Sequence, residues 1–142
     1  MSANQFLAQF WRYSIWSLEF LSLPQFLAIL LFAALSLAFA VWHQRPFKSP
    51  LWKQSHWFVL TQLLFFPVVI SIAVLYPPAP TPNSIANNVC DFLGWISLVL
   101  AGFWVYRMRG FRWFAVSLVA MLEVILLGAF FVAGMAVTGK WL

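Results

Sequence analysis

The sequence predicts an all-α integral membrane protein: four transmembrane helices in an antiparallel bundle, preceded by an amphipathic interfacial N-terminal helix. Three observations predict it. Hydrophobic residues make up 64% of the 142 and charged residues only 8%, against about a quarter charged in soluble domains. Four apolar runs, about 25–43, 57–76, 88–106 and 112–137, are each long enough to cross a hydrocarbon core about 30 Å thick. Six of the eight Lys and Arg fall in two short connections between those runs. The net charge of +5 therefore reads as membrane topology, and no nucleic-acid partner is expected. The whole chain, 1–142, forms a single membrane domain.

The segment at about 4–23 carries Gln5, Gln9, Arg12 and Glu19 at spacings of four, three and seven, which keeps them on one stripe of a helix otherwise rich in Phe, Leu and Trp. A helix of that pattern lies in the membrane interface, as an anchor or a partner-binding element. It lacks a basic start, and the first uninterrupted apolar run begins only after Pro24, so it is expected to be retained and not cleaved as a secretory signal.

Ser22 and Pro24 offer an N-cap and a first-turn proline for the first span. Ala34, Ser36, Ala38 and Ala40 give that span a small-residue face that another helix can approach closely. The connection from His43 to His56 holds Arg45, Lys48 and Lys53 between the breakers Pro46 and Pro50. Phe47, Leu51, Trp52 and Trp57 suit the headgroup level. Such a loop is drawn to anionic lipids by about 1 kcal/mol per cation near the surface.

Pro67 removes an N–H from the second span and should kink it, and Thr61 or Gln62 can hydrogen-bond within the bundle. Residues 77–82 are rich in proline and favour extended geometry, and no Asn-x-Ser/Thr sequon follows before Asn88. The third span places Asp91 near its outer end, where the helix dipole favours a carboxylate; Trp95 and Ser97 lie deeper, followed by Ala101 and Gly102. Arg107, Arg109 and Arg112 then crowd a very short turn in which Gly110 is expected at positive φ. The third and fourth spans must be an antiparallel hairpin.

Beside the spans, Arg45, Lys48, Lys53, Arg107, Arg109 and Arg112 lie on one side, against Arg12 and Lys140 on the other. This places the two basic connections in the cytoplasm and both termini outside it. The same six cations are the candidate lipid-headgroup ligands.

The fourth span holds the most informative residue. Glu123 follows Arg112 by eleven positions, about 16 Å at 1.5 Å per residue, near the bilayer midplane. An ionisable group at that depth is a functional-site hypothesis by default. Desolvation disfavours its charged form, so the expectation is a neutral carboxyl hydrogen-bonded to Ser97 or Trp95, with Asp91 able to extend a relay outward. Ala120, Gly134 and Thr138 share its helical face, which suggests that this face packs on protein.

Other chemistry finds little support. One cysteine, Cys90, excludes an internal disulfide and thiol exchange within the chain. His43 and His56 at the ends of adjacent spans could ligate a haem, but interfacial histidines are the ordinary explanation, and neither a metal nor a cofactor is expected. The serines sit in no nucleophile motif and no Gly-rich phosphate loop is present, so enzymatic activity is not expected. A quinone-linked thiol oxidase would need cysteine pairs. Small multidrug exporters carry their buried Glu in the first helix, where this chain has no acid.

The leading expectation is an accessory or structural subunit of a membrane protein complex, docking other membrane subunits or a second copy through small-residue and aromatic faces. The alternative is a small oligomeric proton-coupled carrier using Glu123. A third is lipid or quinone binding at the basic inner face.

Overall fold

A computed structural model describes residues 1–45, 51–76 and 84–139, with the side chains of 51–54 left aside. Among the described residues the chain is helical, with no strand. Five helices follow in order: α1 (Ala3–Leu21), α2 (Pro24–Gln44), α3 (Leu51–Leu75), α4 (Ser84–Arg107) and α5 (Arg112–Thr138). The last four are long and apolar enough to cross a membrane.

α5 is the hub, in contact with each of the other four helices. Its sequence explains this. Ala115, Gly128, Ala129, Ala133 and Ala136 are buried along it, and small side chains let helix backbones approach in a medium where no hydrophobic force drives helices together. At Gly128 two helices meet closely, since a Cβ there would lie 2.7 Å from the Ser17 carbonyl oxygen of α1. Two buried clusters form around the hub. One joins Ala40, Phe58, Ala101, Trp104, Phe114 and Leu122; the other joins Val69, Ile70, Ala73, Cys90, Ala129 and Ala133.

α1 has three faces. Ser14, Ser17 and Leu21 are buried against the rest of the protein; Leu7, Trp11, Ile15 and Leu18 point outward as an apolar strip; Gln5, Gln9, Arg12 and Glu19 form an exposed polar strip. A capping box fixes its start, with Ser2 and Gln5 bonded reciprocally. Ser22 does not cap α2. Its hydroxyl donates to the Glu19 carbonyl at 2.6 Å and closes α1 instead, while Leu23, held extended before Pro24, precedes α2 without a side-chain cap.

α2 runs back along α5. Ser36 and Ser117 hydroxyls are 2.7 Å apart, and since Ser117 donates to the Trp113 carbonyl, Ser36 is the donor between them. At the far end the Phe114 N–H of α5 donates to Gln44 Oε1 at 3.0 Å. Of the small residues expected to pack, Ser36 and Ala40 face α5, whereas Ala34 and Ala38 point outward.

Three local expectations are corrected. Positive φ falls on Arg45, which ends α2, and on Gly139, which ends α5, and not on Gly110; residues 109–111 form a tight 3-10 turn instead. α3 begins at Leu51, six residues before the expected start, so Trp52 and His56 belong to a helix. α4 begins at Ser84, and no acid lies in its first turn. Asp91 is therefore two turns inside, beyond the reach of the dipole effect, and accepts a hydrogen bond from Asn87 at 3.1 Å. Pro67 lies within α3 as expected. The expectations for Pro46, Phe47, Lys48 and Pro50, for the proline-rich 77–82, and for Lys140 and Trp141 fall outside the described residues.

Candidate functional site

Glu123, Ser97 and Gln62 meet at one depth because each lies ten or eleven residues from the corresponding end of its helix. Gln62 follows Leu51 by eleven residues, Glu123 follows Arg112 by eleven, and Ser97 precedes Arg107 by ten. Each is thus about 15 to 16 Å from the end of its helix nearest the basic connections. Ser97 Oγ is 2.8 Å from Glu123 Oε1 and 2.9 Å from Gln62 Oε1. The Gln62 amide nitrogen donates to the Ser97 carbonyl at 3.2 Å. Ser97 and Gln62 are fully enclosed, at 0% and 1% exposure, and Glu123 is partly open.

What Glu123 opens onto is a groove of about 580 Å³ between α4 and α5. Cys90, Asp91, Gly94, Trp95, Ala120 and Phe130 are among its walls. Two carboxylates therefore share one cavity, Asp91 standing six residues, or about 9 Å along the helix, from the Ser97 that holds Glu123. Among the described residues the lining includes no Lys or Arg. Small side chains at Gly94, Ala120 and Gly134 hollow the wall; a Cβ at Gly134 would meet nothing within 4 Å. The face carrying Ala120, Glu123 and Gly134 is thus a groove wall and not a close-packed seam. Thr138 lies beyond it and donates to the Gly134 carbonyl.

The other site expectations separate from this centre. Trp95 stands at the rim, 68% exposed, and the hydrogen-bond partner of Glu123 is Ser97. His43 stacks on Phe39 of its own helix, with ring centroids 5.8 Å apart, and His56 is exposed. Among the described residues no cluster of three His, Cys, Asp or Glu could hold a metal. Arg45, Arg107, Arg109 and Arg112 all face outward; Arg109 is turned onto the Tyr106 ring, 4.6 Å from its centroid, and hydrogen-bonds its hydroxyl. Lys48 and the Lys53 side chain lie outside the described residues.

Gln62 is the member whose part the sequence left open. With α3 started at 57 it sits near the membrane edge, whereas counting from Leu51 gives it the depth of Glu123. Trp104 is a second surprise: its indole N–H is buried without a hydrogen-bond acceptor. The ring stacks on Phe58 at 4.4 Å and meets Phe114 edge-on, so packing holds it there.

No known family model, no curated protein and no solved structure matches the chain.

Proposed function

We propose that the chain is a small proton-coupled carrier for a lipid-soluble cation, with the α4–α5 groove as its binding site and Glu123 as the group that exchanges a proton for the ligand. One observation carries this reading: Glu123 and Asp91 line the same cavity, otherwise mainly apolar and without a cationic lining residue. An apolar groove suits a hydrophobic body, and a few polar groups orient it. A carboxyl near the midplane attracts a positive charge most strongly where water is scarce. The basic connections would face the cytoplasm, and the polar strip of α1 would meet the headgroups at the opposite surface.

The test is saturable binding of a tetraarylphosphonium and of a long-chain alkyltrimethylammonium to protein in nanodiscs, followed by proton flux in liposomes. Glu123→Gln is expected to abolish both binding and flux, and Asp91→Asn to weaken binding several-fold. If neither probe binds in a Glu123-dependent way, the carrier reading is lost.

The accessory-subunit reading is favoured by a different feature, the outward Ala34 and Ala38 of α2 flanked by exposed Phe32, Leu35, Phe39 and Trp42. This arrangement suits close docking of another transmembrane helix. Ala34→Leu with Ala38→Leu would then release a co-purifying subunit or separate a homodimer, and leave cation binding unchanged. Lipid or quinone capture at Arg107, Arg109 and Arg112 rests on charge alone.

A further inference from the structure

The hydrogens available to the Glu123–Ser97–Gln62 group do not match its oxygens unless one more is supplied. Ser97 Oγ stands within hydrogen-bond distance of two acceptor oxygens, Glu123 Oε1 at 2.8 Å and Gln62 Oε1 at 2.9 Å, yet a serine hydroxyl carries one hydrogen. With Glu123 ionised, one of these contacts becomes lone pair against lone pair. Turning the Gln62 amide over does not help, because its oxygen would then face the Ser97 carbonyl, 3.2 Å away. Water offers no remedy at Ser97 or Gln62, which are 0% and 1% exposed.

We infer that Glu123 carries a proton in this conformation and that Gln62 is the positioning residue that enforces it. The protonated carboxyl donates to Ser97 Oγ, the Ser97 hydroxyl donates to Gln62 Oε1, and the Gln62 amide donates to the Ser97 carbonyl, so every contact becomes a hydrogen bond. Loss of the proton turns the Ser97 hydroxyl toward Glu123 and strips Gln62 Oε1 of its donor. Protonation of the groove is thereby coupled to one of the two hydrogen bonds that join Gln62 of α3 to Ser97 of α4. Among the described residues the titratable groups sharing the groove with Glu123 are Asp91 and Cys90, both on α4, and α1, α2 and α3 contribute none to its lining. This inference rests on the site geometry and not on the carrier reading, and its test uses no ligand.

Infrared spectroscopy of the full chain in nanodiscs at neutral pH reads the answer directly. Wild type is expected to show a protonated-carboxyl C=O band that shifts in heavy water and disappears in Glu123→Gln. Gln62→Leu removes the competing acceptor, so the Ser97 hydroxyl is free to serve the ionised carboxylate and the band weakens. A merely structural Gln62 would lower stability and leave the band in place. Identical carboxyl regions in folded wild type and Glu123→Gln overturn the proton; an undiminished band in folded Gln62→Leu overturns the positioning role. Should Gln62→Leu fail to fold, Ser97→Thr, which keeps one hydroxyl, must retain the band, and Ser97→Ala, which lacks it, must change the band.

Discussion

Two glycines six residues apart on α5 have opposite surroundings. At Gly128 an added Cβ would press within 2.7 Å of the α1 backbone at Ser17, whereas at Gly134 it would enter open space. The first glycine is a condition of packing; the second helps hollow a wall beside Glu123. The lesson is that a small residue in a membrane helix does not by itself signal a helix contact. The partner must supply a backbone to fill the gap, as α1 does and α4 does not.

The comparison can be broken or sharpened by substitution. Gly128→Val should be the most damaging, costing about 3 kcal/mol through forced separation of α1 from α5, measured by unfolding in mixed micelles. An equally stable variant would mean that α1 does not sit on α5. Ser97→Ala should cost about 1 to 2 kcal/mol, since it takes the shared hydroxyl from the enclosed Gln62 and the half-buried Glu123. Its effect and that of Gln62→Leu should be far from additive, because both act on one group. Ser36→Ala should cost only about 0.6 kcal/mol, typical of an interhelical hydrogen bond in lipid, because Ser117 keeps its bond to the Trp113 carbonyl. Gly134→Ala should change stability by less than about 0.5 kcal/mol and yet narrow the groove, so a loss of cation binding without a loss of stability separates wall from seam.

Much of the helical content was legible because it depends on run length and composition, which survive any error at an element's ends. Pairing was less so. The partnership of Ser97 with Glu123 followed from matching depths, and the same argument would have added Gln62 had α3 been started at Leu51. A start at 57 treats Pro46 and Pro50 as breakers of the whole basic loop, although a proline just ahead of a helix is compatible with its first turn. The role of Ser22 was missed for a related reason, since a serine beside a proline fits the end of one helix as well as the start of the next. The groove itself could not be read. Small residues at 94, 120 and 134 are the same sign that means contact at 128, and only the position of α1 tells them apart.

The central place of α5 has a consequence for how the molecule is made. It leaves the ribosome after the four helices it contacts, and its first turn borrows a hydrogen-bond acceptor, Gln44, from a residue 70 positions earlier. Until it arrives, α1 to α4 lack their main packing partner, so much of the native packing closes late, and its contacts with α1 and α2 are distant in sequence. Defects in α5 would thus appear during biogenesis, as early helices left open to quality control before the site at Glu123 exists.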